Sequence, residues 1–162
     1  MTRLASHGLA VDLPAGWDGR IGRRLSPFGT AAAPHAVMHL ANFPLPEERG
    51  DFGSGAVTVM GPGGVLVVLF EHDSRSASTA LFQDEGVPRR FRPEQFGRNQ
   101  LQRAIGNQVG AQFFAQEQGR AFCLYVVLGS GRRSRALAAT AERVLATLDI
   151  SPNAPGRLRF FS

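Results

Sequence analysis

The sequence has 162 residues, the length of one ordinary domain, and its 43% hydrophobic content argues against a disordered chain. The single cysteine, Cys123, excludes an internal disulfide and any zinc or iron–sulfur site built from several cysteines. All 18 basic residues are arginine. Residues 1–81 hold 6 of them with 7 acidic residues, whereas residues 82–162 hold 12 with 6 acidic residues, so we expect a basic face on the second half.

The start of the sequence lacks the apolar run of roughly 7–15 residues that is typical of a secretory signal. The longest apolar runs, residues 65–70 and 121–128, are shorter than the roughly 20 residues needed to span a bilayer. These runs are typical of buried strands. We therefore expect a cytoplasmic protein with no transmembrane segment.

The first predicted element is a strand over residues 8–13, where large apolar residues alternate with smaller or polar ones. Residues 14–16 end it, and a turn after Trp17 leads into residues 20–23. This order predicts two short strands that pair antiparallel with each other. Trp17 lies beside the turn, and we expect it to anchor the core.

Residues 35–43 alternate in the same way and favour a strand, although Pro34 also suits the first residue of a helix. The next two apolar segments, residues 56–60 and 65–72, are joined by a glycine-rich stretch at 61–64. That spacing predicts a hairpin with a four-residue loop.

A helix is predicted from Pro93 to Gly106, with Phe96, Leu101 and Ile105 on one side. A second hairpin follows, built from residues 109–117 and 120–128, with Phe122 as a second core anchor.

Residues 133–148 show the best helical pattern of the chain. The whole order predicts an α+β fold, an antiparallel β-sheet with helices packed on it. We expect a single domain over residues 1–151, followed by a C-terminal tail at 152–162.

The opening segment, Gly8-Leu-Ala-Val-Asp-Leu-Pro-Ala-Gly-Trp17, resembles the first strand of PsbP-like domains, which runs into a Pro-x-Gly-Trp corner. The closing order of helix, aromatic hairpin and long amphipathic helix is also similar. The resemblance is closest to uncharacterised, arginine-rich actinobacterial members. It implies an α/β/α sandwich around an antiparallel sheet, and a domain that binds proteins or hydrophobic segments and has no shared catalytic residues.

We expect no metal and no cofactor. His35 and His39 would lie about 13 Å apart on a strand, too far to share one ion. An approach of His72 to His39 across a sheet stays open. Cys123 lies in an apolar strand, where a thiol is usually inert.

Residues 129–131, Gly-Ser-Gly, precede a helix that carries Arg132, Arg133 and Arg135. Backbone amides at such a place sometimes hold an anion. A plain turn from strand to helix is the favoured interpretation.

Arginine and phenylalanine occur together in two places, and both residue types are enriched at protein interfaces. The predicted partner-binding residues are Arg89, Arg90, Phe91, Arg92, Arg98, Arg103, Phe160 and Phe161. The alternatives are a solvated loop and a tail that packs on its own sheet.

The sequence therefore favours a non-enzymatic module that binds a protein or peptide, as a scaffold, adaptor or chaperone-like domain. The first alternative is binding of nucleic acid or another polyanion through the arginines of the second half. The second alternative is an unrecognised hydrolase. The oligomeric state stays open.

Overall fold

A computed structural model describes residues 1–24 and 35–153 of the chain. The strands are β1 (Thr2–Ser6), β2 (Leu9–Leu13), β3 (Asp18–Arg24), β4 (His35–Ala41), β5 (Val65–His72), β6 (Val109–Glu117), β7 (Arg120–Leu128) and β8 (Asp149–Ile150). The α-helices are α1 (Ser54–Val59) and α2 (Ser134–Leu145), and short 3₁₀ turns cover Ser74–Ser78, Ala80–Phe82, Pro93–Gln95, Arg98–Gln100 and Gly131–Arg133. The predicted α+β class is confirmed.

The strands form two sheets rather than the one that the sequence predicts. The first has the order β1-β2-β8 and the second has the order β3-β4-β5-β7-β6. All neighbouring strands are antiparallel.

Each face of the five-stranded sheet buries its own apolar cluster, because alternate side chains of a strand point to opposite faces. The odd-numbered residues of β5 from Val65 to Leu69 lie in one cluster with Leu137 of α2 and with β2 of the small sheet. The even-numbered residues from Leu66 to Phe70 lie in the other cluster with Val57 of α1. The sheet therefore has a helix on each side.

Several predicted elements are confirmed. The strand predicted over residues 8–13 forms as Leu9–Leu13, and the strand that begins at His35 and the hairpin of β6 and β7 also form. In α2 and the turn after it, every residue of the predicted apolar pattern is buried: Leu137, Ala141, Val144, Leu145 and Leu148.

The predicted pairing of residues 8–13 with residues 20–23 is wrong. Strand β2 pairs with β1 through a two-residue turn at His7 and Gly8, which both have positive φ angles. Strand β3 pairs with β4 instead. The chain passes from the small sheet to the large sheet at Trp17. Strands β2 and β3 are therefore consecutive in the sequence but belong to different sheets.

The predicted strand at residues 56–60 is also wrong, because this segment forms α1. Gly55 lies against the preceding loop so closely that a Cβ there would stand 2.1 Å from the carbonyl oxygen of Glu48. Val57 is buried and Val59 is 61% exposed, whereas a strand would point both to one side. Tertiary packing therefore overrides the β preference of these residues.

Residues 93–106 form two 3₁₀ turns instead of the predicted α-helix. Between them, Gly97 exchanges two backbone hydrogen bonds of 2.9 Å with Gly110 at the edge of β6. Phe96 packs with the cluster on the α2 side, and Leu101 packs with the cluster on the α1 side. The segment thus crosses the edge of the sheet at Gly97.

Within residues 1–24 and 35–153, no helix has both the length and the apolar character that crossing a bilayer requires.

Candidate functional site

A surface depression of about 410 Å³ lies where residues 90–95 run beside α2. Its lining is made of Arg90, Phe91, Arg92, Gln95 and Glu142. The sequence predicted the first three as partner-binding residues, and the structure brings them together. Gln95 and Glu142 were missed.

Two hydrogen bonds hold the backbone at this depression. The N–H of Phe91 donates to Oε1 of Glu142 at 2.8 Å, and the N–H of Arg92 donates to Oε1 of Gln95 at 2.7 Å. Glu142 lies on α2, so the first bond ties the loop to the helix. The backbone positions of the two arginines are therefore set by the fold.

The ring of Phe91 is half-buried and packs against the core cluster on the α2 side. Its centroid lies 5.7 Å from that of Phe96 and 5.4 Å from that of Phe113. Arg90 and Arg92 are exposed, and neither forms an ion pair with an acidic residue of the described segments. The depression thus presents two available guanidinium groups beside a fixed aromatic ring.

Arg89 is engaged within the chain. Its guanidinium binds both carboxylate oxygens of Glu117, at 2.5 and 2.9 Å, and donates to the carbonyl oxygen of Leu148 at 3.2 Å. Burial alone would raise the pKa of Glu117, but the hydrogen bonds from Arg89 and from the N–H of Val87 lower that pKa below its ordinary value. Arg89 therefore fastens the segment to the fold.

The other predicted residues lie elsewhere. Arg98 donates to the carbonyl oxygen of Gly106, and Arg103 is exposed between Leu101 and Ile105, which pack on the α1 side. The structure therefore separates these two arginines from the depression. Phe160 and Phe161 lie outside the described residues, and their role stays a prediction.

His39 and His72 do not stand opposite each other in the sheet. His39 stands opposite Val68, and His72 stands opposite Ala121. Among the described residues, no group of three or more His, Cys, Asp or Glu side chains is arranged to hold a metal ion.

His39 takes part in a buried polar contact instead. Its Nε2 lies 2.8 Å from the carbonyl oxygen of Asp51, and its Nδ1 accepts from Nε of Arg49 at 3.0 Å. These partners require a neutral ring with its proton on Nε2. Burial is the main cause that lowers the pKa of His39, and the charge of Arg49 lowers it further.

We expect the unfolding free energy to fall as the pH drops below about 6.5, because the unfolded chain then binds a proton that folded His39 resists. A His39→Gln variant, which keeps a donor for the Asp51 carbonyl, should lose less stability between about pH 7 and pH 5 than the wild type. Urea unfolding at both pH values measures this difference. Equal losses in the two proteins would assign the pH dependence to other groups.

Cys123 is buried, and burial raises the pKa of its thiol to about 12. A thiolate nucleophile is therefore disfavoured at this position.

Both glycine amides of the turn before α2 are engaged within the fold. The N–H of Gly129 donates to the carbonyl oxygen of Gly64 at 2.8 Å, and the N–H of Gly131 donates to that of Asn107 at 2.9 Å. A Cβ at Gly129 would also stand 2.1 Å from the carbonyl oxygen of Gly61. These contacts support the plain turn from strand to helix.

Fold and site together define a mixed α+β protein with an arginine-lined depression between a loop and a helix. Compared with protein-family models, curated proteins and solved structures, the chain matches none. The PsbP-like resemblance therefore stays a prediction.

Proposed function

We propose that the chain is a non-enzymatic module that binds a protein or peptide at the depression between residues 90–95 and α2. One observation carries the proposal: Arg90 and Arg92 expose their guanidinium groups beside the half-buried ring of Phe91. Arginine and aromatic side chains supply most of the binding energy at many protein interfaces. The hydrogen bond from Phe91 to Glu142 reduces the ordering that binding would require.

The proposal includes a cytoplasmic location and a place among PsbP-like domains. In support of the place among PsbP-like domains, strand β2, whose apolar residues are buried, runs into the turn at Pro14 and Trp17, and a long helix packs on the sheet. Binding of a polyanion along one stretch of arginines has less support, because Arg89 is engaged by Glu117 and Arg103 lies toward the other side of the sheet.

Partner capture with purified variants tests the proposal. We expect the double variant Arg90→Gln/Arg92→Gln to lose a cellular partner that the wild type retains at physiological salt, while its melting temperature stays within about two degrees of wild type, because exposed substitutions usually change stability little. Arg103→Gln removes one positive charge outside the depression and should retain the partner. Equal capture by the double variant, or a salt dependence as steep as that of a polyanion bound by many arginines, would contradict the proposal.

A further inference from the structure

We infer that the depression binds the carboxylate side chain of an acidic peptide segment, with a neighbouring apolar side chain of that peptide laid on Phe91. This inference rests on the proposed function and names the chemistry of the partner. It follows from the charges, the donors and the ring that line the depression.

The charges of the lining favour a singly charged anion. Arg90 and Arg92 contribute two positive charges and Glu142 contributes one negative charge, so the lining has a net charge of +1. Glu142 is held in place because its Oε1 accepts from the N–H of Phe91. A carboxylate balances this charge, whereas a doubly charged phosphate would bring excess negative charge close to Glu142.

The donors of the lining suit a carboxylate as well. A guanidinium group donates two parallel hydrogen bonds to the two oxygens of a carboxylate. The Oε1 atom of Gln95 already accepts from the N–H of Arg92, which leaves the amide nitrogen of Gln95 as a neutral donor beside the two arginines.

The ring of Phe91 gives the depression an apolar wall. Its packing against Phe96 and Phe113 fixes the ring, and the half-buried position leaves part of it for a ligand. A peptide with an apolar residue next to its acidic residue would contact both the ring of Phe91 and the guanidinium groups of Arg90 and Arg92.

A long polyanion fits this surface poorly. Binding it would require further available arginines along the path, but the guanidinium groups of Arg89 and Arg98 are engaged by Glu117 and by the carbonyl oxygen of Gly106. The depression therefore fits one carboxylate better than a run of phosphates.

The experiment is an NMR titration of the ¹⁵N-labelled full chain with a seven-residue probe peptide that has one glutamate between two leucines and alanine elsewhere. Its matched controls have glutamine or phosphoserine in place of the glutamate, and a thymidine oligonucleotide is the fourth probe. We expect the glutamate peptide to shift the amide signals of Phe91 and Gln95 and to bind at least about tenfold more tightly than the glutamine peptide.

Three variants locate the effect. The double variant Arg90→Gln/Arg92→Gln should weaken binding of the glutamate peptide by at least about tenfold, and Arg103→Gln should leave it unchanged. Glu142→Gln keeps an acceptor for the N–H of Phe91 but removes the negative charge. It should therefore strengthen binding of both anionic peptides, and most of all that of the phosphoserine peptide.

Several results would overturn the inference: no binding at millimolar peptide, equal binding of the glutamine peptide, or tighter wild-type binding of phosphoserine or oligonucleotide. Sedimentation that shows a dimer lost in the double variant would assign the depression to a second copy of this chain, whose Glu47 and Glu48 are exposed. If partner capture still depends on Arg90 and Arg92, the proposed function survives such a failure. If the double variant captures the partner as well as the wild type, the proposed function itself fails.

Discussion

Replacing Arg120 with methionine is expected to lower the free energy of unfolding by about 3–5 kcal/mol, because it leaves the buried carboxylate of Glu71 without its counterion. The side chains of Arg120 and Glu71 are 2% and 3% exposed, and two hydrogen bonds of 2.7 and 3.0 Å join them. Denaturant unfolding of the variant and the wild type measures the loss.

The same guanidinium holds the two sheets together. It donates to the carbonyl oxygens of His7, Gly8 and Ser151, which lie in the turn between β1 and β2 and directly after β8. Gly8 leaves room for this contact, since a Cβ there would stand 2.6 Å from a nitrogen of Arg120. The loss therefore includes three carbonyl contacts besides the ion pair.

Two controls separate these contributions. The double variant Glu71→Gln/Arg120→Met retains no buried charge and should be more stable than Arg120→Met alone. Arg75→Met breaks an ion pair with Asp73 in which the arginine side chain is 91% exposed, and it should leave stability close to wild type. If Arg120→Met lowered the free energy of unfolding as little as Arg75→Met, the buried ion pair would have no stabilising role.

The best predicted elements are those whose signals are local. The β6–β7 hairpin follows from two runs rich in apolar and aromatic residues, separated by Gln118 and Gly119, which both adopt the positive φ of a tight two-residue turn. The helix α2 follows from an apolar face of period 3.6. Neither element needs a contact from far along the chain to decide its type.

The wrong predictions concern segments whose structure depends on contacts with residues far away in the sequence. Residues 56–60 have the β-branched and apolar composition of a strand, but the loop at Glu48 packs against Gly55 and the helix Ser54–Val59 forms. Residues 93–106 have helical spacing, but Gly97 pairs with the edge of β6. Single-sequence patterns contain neither contact.

The sequence contains a signal for the buried ion pair, but this signal becomes visible only when β5 and β7 are known to be neighbours. Glu71 directly follows the apolar run of β5, and Arg120 directly precedes that of β7. In the observed register Glu71 stands opposite Phe122, so Arg120 is its diagonal neighbour on the same face. The sequence predicts both strands, but not that they are neighbours.

The candidate site was predictable in part for the same reason. Composition singles out Arg90, Phe91 and Arg92, but it does not show that Arg89 forms an ion pair with Glu117. The carboxylate of Glu142 accepts a hydrogen bond from the N–H of Phe91, which lies 51 residues away in the sequence. In the sequence alone, Glu142 resembles any exposed acidic residue on a helix.

The Phe122→Ala substitution is expected to lower the free energy of unfolding by about 3–5 kcal/mol, through lost burial and the cavity that remains. Phe122 is 0% exposed in the interior strand β7, where it stands opposite Glu71 on β5 and Ala115 on β6. The guanidinium carbon of Arg120 also lies 5.2 Å from the ring centroid, so the variant disturbs the buried ion pair as well. Thermal and denaturant unfolding measure the loss.

Trp17→Ala is the informative comparison, because the sequence predicts Trp17 and Phe122 as equal anchors. Trp17 is half-buried and packs at the margin of the same cluster, so its truncation removes less apolar area and should cost about 1–2 kcal/mol. Phe122→Leu fills most of the site and should cost less than Phe122→Ala, which separates the cavity from the contact with Arg120. A Trp17→Ala loss as large as that of Phe122→Ala would show that the corner between the two sheets contributes as much to the stability of the core as the interior of β7, contrary to this expectation.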